Sequence, residues 1–218
     1  MKRDAAQKAV LGAVREHLAQ SRREGEATLE APRPAEVSLA TVDRDALVRE
    51  FAQRLGAVGG VAWRVGDLAA AAACIDELIA ELRADVVAFA DAPFTQRLRE
   101  QVASTVDKIG PEDRHAIARC ALGVTTARAA IAETGSLLLD AAQERYRLVS
   151  LLPTVHVAVV PVILLLRDLD EAFDLLGKAP SSAVTLVTGP SRTADIELTL
   201  VVGVHGPQAL HVILVDRV

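Results

Sequence analysis

The sequence predicts an α/β fold in which a mostly parallel sheet lies between helices on both sides. Short apolar runs recur through the C-terminal half, at Ser136 to Leu139, Val155 to Val160, Val162 to Leu166, Ala183 to Val187 and Leu210 to Val215. Most are continuous rather than alternating, which is the pattern of strands covered on both faces. A helical pattern from Leu169 to Leu176 falls between two of them, as in a chain that alternates strand and helix.

In chain order, Ala6, Val10, Val14 and Leu18 recur at helical spacing and predict an amphipathic first helix. Asp4 with Gln7 three residues on resembles a capping box, and Gly25 is a stop signal. Glu30-Ala31-Pro32-Arg33-Pro34 then reads as an extended linker, because proline restricts its own backbone and that of its predecessor. The expected organisation is a helical arm with linker, 1–34, followed by one α/β domain, 35–218. Leu47, Phe51 and Leu55 align on a helix from Asp45 to Leu55, punctuated by Gly56 and Gly59-Gly60. Asp67 to Leu82 is alanine-rich and helical. Asp85 to Ala90 has strand composition, and a helix from near Pro111 leads to a strand at Ala121 to Thr125.

Bulk properties exclude several classes. At 218 residues there is room for one well-buried core. The 24 Lys and Arg against 29 Asp and Glu give a formal charge of -5, so no basic field favours nucleic acid. Cys74 and Cys120 stand far apart and outside any C-x-x-C pair, which supplies neither a disulfide framework nor a thiolate metal site and fits a reducing cytoplasm. The basic start Met1-Lys2-Arg3 leads into no continuous apolar core of a signal peptide. The most apolar segment, Leu148 to Leu166, is interrupted by Ser150, Pro153, Thr154, His156 and Pro161 and reads as two buried strands rather than a membrane span.

Two polar clusters interrupt the apolar strands. In Ala132-Glu133-Thr134-Gly135-Ser136, a carboxylate sits at a strand edge with a glycine that permits close approach. Glu133 is therefore a candidate nucleophile or general base, against the plainer reading of a solvated turn residue. The second cluster runs from Thr188 through Gly189, Pro190, Ser191, Arg192, Thr193, Ala194, Asp195 and Ile196 to Glu197. In an open α/β sheet ligands bind beyond the carboxyl ends of the strands, so a site is expected here. Its hydroxyls, its amides near Gly189 and the Arg192 guanidinium suit a carboxylate or phosphate, unless Arg192 merely pairs with Asp195 and Glu197. Neither a Walker A loop nor G-x-G-x-x-G is present. Of three strand-region histidines, His205 in Val204-His205-Gly206-Pro207 is the preferred functional candidate. His156 and His211 fit hydrogen-bonded core residues, and Trp63 and Tyr146 packing residues.

The Ala132 to Ser136 turn, Leu152-Pro153-Thr154-Val155-His156, the Thr188 to Glu197 segment and Gly203-Val204-His205-Gly206-Pro207 together resemble the lactate-utilisation protein C family, whose domain is called LUD. The resemblance is strongest from Glu133 to Val215; at the start, Val10 to Arg15 is similar to the family's N-terminal helix, and Phe51 to Ala118 carries none of it. It implies a three-layer α/β/α fold similar to the superfamily of CoA transferases and ribose-5-phosphate isomerase. It further implies a role in oxidising L-lactate to pyruvate with partner proteins, at least one of them carrying iron-sulfur clusters. A cluster normally needs four thiolates, so this chain would bind no cofactor and act as a non-redox component. The Glu133 and Gly135 spacing also resembles the catalytic glutamate of CoA transferases. Two other readings stay open: a free-standing enzyme on a phosphorylated sugar or CoA ester using Glu133, and an assembly module docking through its N-terminal helix.

Overall fold

The computed structural model describes residues 12–13, 43–141, 147–178, 183–194, 200–202 and 206–218, the side chains of 178 and 193–202 excepted. The chain divides into two compact units, Met1–Leu39 and Ala40–Val218. Gly12 and Ala13 are helical; the rest of the predicted arm and linker lies outside the described residues.

Helix α1, Arg44–Ala57, begins where the Asp43 carboxylate accepts the Ala46 N–H at 3.1 Å. Strand β1, Val61–Val65, leads to α2, Leu68–Leu82, which is capped in the same way by Asp67 on the Ala70 N–H. Then come β2 (Val86–Phe89), α3 (Pro93–Gln101), β3 (Asp107–Ile109), the short α4 (Arg114–Ile117) and β4 (Leu122–Thr125). The second half holds β5 (Ala129–Ile131), β6 (Ser136–Asp140), α5 (Leu148–Leu151), β7 (Val155–Pro161), β8 (Leu165–Leu166), α6 (Leu169–Lys178), β9 (Val184–Val187), β10 (Arg192–Ala194), β11 (Leu200–Val202) and β12 (Ala209–Val215).

Six strands form a parallel sheet in the order β1-β12-β7-β4-β2-β3. Its centre is Val155–Pro161 against Ala209–Val215, buried on both faces as the continuous apolar runs require. One face packs on α2 and α3 through Leu68, Ile75, Leu78, Leu98, Val157 and Ile213. The other face, with Ala158, Val160, Val212 and Leu214, is covered by α1 and by a second sheet, β8-β5-β6-β9. The predicted strands Ser136 to Leu139 and Ala183 to Val187 lie in that second sheet, antiparallel to each other. A continuous apolar run reports burial on both faces but not which sheet a strand joins, so this separation was hidden. The expected strand Val162 to Leu166 is instead a 3-10 turn, Val162–Leu164, followed by two strand residues. Pro161 ends the ladder, and the chain leaves the parallel sheet to pair Leu165 with Ala130.

The two sheets meet at the end of α1. Phe51 and Leu55 are fully buried there, each worth about 2 kcal/mol of apolar transfer. The β5–β6 turn comes so close that a Cβ on Gly135, at φ 68°, would stand 2.4 Å from the Leu55 amide nitrogen. Within the second sheet, Arg128 pairs with the buried Asp140 carboxylate at 2.5 Å and donates to the Leu175 carbonyl, which ties β5 and β6 to α6. Gly135→Ala should therefore lower unfolding stability by about 3 kcal/mol in urea titrations, because both its backbone angle and its neighbour resist the methyl. Gly56→Ala meets nothing within 4 Å and should raise it by about 0.5 kcal/mol.

Candidate functional site

Pairing of β6 with β9 brings the two polar clusters together. Leu137 stands opposite Val187, so Ser136 and Thr188 follow in register, and their hydroxyl oxygens lie 2.6 Å apart. Ser136 is buried and Thr188 exposed. The turn before Ser136 is fixed by its backbone: the Ala132 and Glu133 N–H groups donate to the carbonyls of Leu166 and Arg167 at 2.9 and 3.0 Å, and the Gly135 N–H donates to Ile131 at 2.9 Å. Glu133 itself is exposed. The Thr134 hydroxyl oxygen is buried and has no hydrogen-bond partner among the described residues.

Beyond Thr188 the chain folds over the end of α1. Gly189 lies against Val58, and an exposed Arg192 donates from Nη2 to the Val58 carbonyl at 2.7 Å. The Ser191 N–H donates to the Pro207 carbonyl at 2.8 Å, joining this loop to the entry of β12. Thr193 sits on β10 opposite Val201. Asp195, Glu197 and His205 lie outside the described residues, so the expected pairing of Arg192 with the two acids does too.

Beside the loop is a cavity of about 190 Å³. Its polar lining is His156, Ser150 and Ser191; its apolar lining includes Leu151, Val187 and Leu210, and Gly189 and Gly206 contribute backbone. Leu210 and His156 are register partners near the amino ends of β12 and β7. The cavity thus opens at the opposite end of the parallel sheet from the expected carboxyl-end crevice, because the strand that delivers the loop, β9, belongs to the second sheet. Its α5 wall depends on Gly123. A Cβ there would lie 2.2 Å from the Val149 carbonyl oxygen, so only glycine lets α5 pack close enough to present Ser150 and Leu151.

His156 is a core residue, as the sequence suggests, yet it also lines this cavity. It is 1% exposed, and its Nε2 lies 2.8 Å from the buried Thr125 hydroxyl. Burial pushes its pKa down to about 4, so the imidazole is neutral at physiological pH. The signal available in the sequence was a titratable residue inside the most apolar strand, beside a proline turn. His211, on β12, is half-buried against the edge of Trp63, ring centroids 5.4 Å apart, and burial lowers its pKa as well. The cysteines fall in different packing regions, Cys74 against the α2 face and Cys120 in a small cluster under α5. Burial raises both thiols above their ordinary pKa, away from the thiolate form that binds metals. No helix among the described residues is long and apolar enough to cross a membrane.

A family model described as the LUD domain matches residues 48–215. Lactate utilization protein C of Bacillus licheniformis is 36% identical over 115 residues, covering 50% of this chain and 48% of that protein. Its namesake from Bacillus subtilis is 38% identical over 103 residues, 44% of this chain and 43% of that protein. The matches thus span about half the length of these curated relatives. The crystal structure of a DUF162 family protein from Deinococcus radiodurans superposes with a TM-score of 0.63 over 80% of this chain and 99% of the other at 23% identity, a likeness of fold.

The depressed His156 pKa has a defined consequence for stability. Below pH 6.5 the unfolded chain takes up a proton that the folded chain refuses until about pH 4, so stability falls as pH drops through that window and levels off below it. The loss assigned to His156 is about 3 kcal/mol. Urea denaturation of wild type and His156→Gln at pH 7 and pH 4.5 checks this: the difference between the two proteins should shift in favour of the variant at the lower pH.

Proposed function

The chain belongs to the LUD domain family, and from that premise we propose that it is a non-redox component of an L-lactate utilisation system that oxidises L-lactate to pyruvate. The observation that carries the reading is the family match together with relatives named for lactate utilisation. Electron transfer falls to partner proteins with iron-sulfur clusters, because the two cysteines here are separately packed and held as thiols.

In this reading the loop from Thr188 to Arg192 takes the carboxylate of a small acid. Arg192 spends one N–H on the Val58 carbonyl and keeps further donors of its planar fork for an anion, on the same loop as the Thr188 and Ser191 hydroxyls. Ser136 anchors Thr188 from below. The exposure of Glu133 favours a surface contact for that carboxylate, in keeping with the assembly reading, over a desolvated nucleophile.

Cells lacking the gene and any second lactate dehydrogenase should fail to grow on L-lactate as sole carbon source and grow normally on glucose; normal growth on lactate would end the proposal. Complementation with Arg192→Ala should restore growth poorly at normal protein level, and with Glu133→Gln fully. Failure of Glu133→Gln at normal abundance would instead favour the enzyme reading. Separately, protein purified without oxygen should carry well under one iron per chain by metal analysis; stoichiometric iron would reassign the redox step to this chain.

A further inference from the structure

We propose that the cavity floored by His156 is a binding site for the uncharged, hydroxyl-bearing end of a small organic molecule. The assignment stands on the chemistry of the cavity and holds or fails independently of the lactate reading. Its described lining brings one buried imidazole and two serines to an otherwise apolar space, with no charged side chain among them. A cavity that served packing alone would be lined by apolar groups, and polar groups facing such a space call for hydrogen-bonding partners.

The state of His156 selects the class of ligand. Nε2 is engaged by Thr125, which fixes the rotation of the ring and leaves Nδ1 as its other polar atom. Being buried, the imidazole is neutral at physiological pH, so it offers one uncharged donor or one uncharged acceptor according to the tautomer. A hydroxyl can donate and accept and therefore suits either form. A carboxylate only accepts, and with no cation in the described lining its desolvation would go uncompensated. The Ser150 hydroxyl donates to the Arg147 carbonyl and keeps its lone pairs for a ligand O–H. Leu151, Val187 and Leu210 give the carbon skeleton an apolar wall. Thr125 is thus a positioning residue and His156 a ligand contact.

The test uses the full chain labelled with 15N in histidine and propane-1,2-diol as the neutral hydroxyl probe, with propionate as a charged probe of similar size that lacks a hydroxyl. Ring signals of His156, one of five histidines, are assigned by their loss in His156→Gln. The diol should move the His156 Nδ1 signal along a saturable curve with a dissociation constant on the order of 10 mM, as suits so few atoms. Propionate at the same concentration and ionic strength should move it far less. Leu151→Trp narrows the cavity from a residue that is 40% exposed and so leaves the core untouched; it should weaken the diol about tenfold with an unchanged melting temperature. An absent or non-saturable diol shift, a propionate shift of equal size, or diol binding unaffected by Leu151→Trp would each overturn the assignment.

Discussion

Segments remote in sequence converge on the backbone at the end of α1, from Arg54 to Gly59. The β5–β6 turn reaches it through Gly135, the loop after β9 through Gly189, and Arg192 through a hydrogen bond to the Val58 carbonyl. Leu55 is fully buried beneath them. Side-chain contacts can adjust by rotating, but a turn seated on helix backbone without an intervening Cβ has no such freedom. The β6–β9 register sets Ser136 beside Thr188, and the seating of the two turns on one helix terminus sets where that pair stands relative to α1. The partial negative charge of that terminus also suits the Arg192 guanidinium, which satisfies a carbonyl that the helix leaves free.

This arrangement separates charge from cavity. Arg192 and Glu133 are exposed, where water screens them and a polar ligand or partner can approach at little desolvation cost. His156, Thr125 and Ser150 are buried and uncharged, and there the low effective dielectric strengthens each hydrogen bond and penalises any ion. The two surfaces of different character adjoin through Ser191, which lines the cavity and whose N–H holds the loop to Pro207.

Much of the fold could be read from the sequence, and the reasons are local. Asp43 and Asp67 cap the helices predicted from Leu47-Phe51-Leu55 spacing and from the alanine run, and the apolar strands Val155 to Val160 and Leu210 to Val215 form the sheet centre. Helix α3 leaves no comparable signal, because its nine residues, Pro93–Gln101, bury little beyond Thr95 and Leu98. Strands β3 and β5 have three residues each, too short a pattern to stand out, and β1, Val61–Val65, is an edge strand whose apolar run is broken by Arg64. Each polar cluster is legible in its own segment, and their meeting depends on an antiparallel register that no local signal encodes. The sequence places His156 in a hydrogen-bonded core; that the same ring borders a cavity depends on how the neighbouring α5 packs and on the entry to β12, which is remote in sequence.

The position of the cavity bears on how binding there would act. In an open parallel sheet the carboxyl-end crevice lies where successive loops diverge, and a ligand there can be held with little change in the sheet itself. Here the walls come from α5, from the loop between β9 and β10, and from the start of β12, three connections that enter or leave different strands. Each is attached differently: α5 through the close approach at Gly123, the loop through Val58, and the start of β12 through the Gln208 N–H on the Thr154 carbonyl at 2.7 Å. The loop and the start of β12 are also joined to each other by the Ser191 N–H on the Pro207 carbonyl, and a ligand touching all three walls would oppose the local opening of each. The same loop carries Thr188 and Arg192 to the surface and Ser191 to the cavity, so one short segment shapes both.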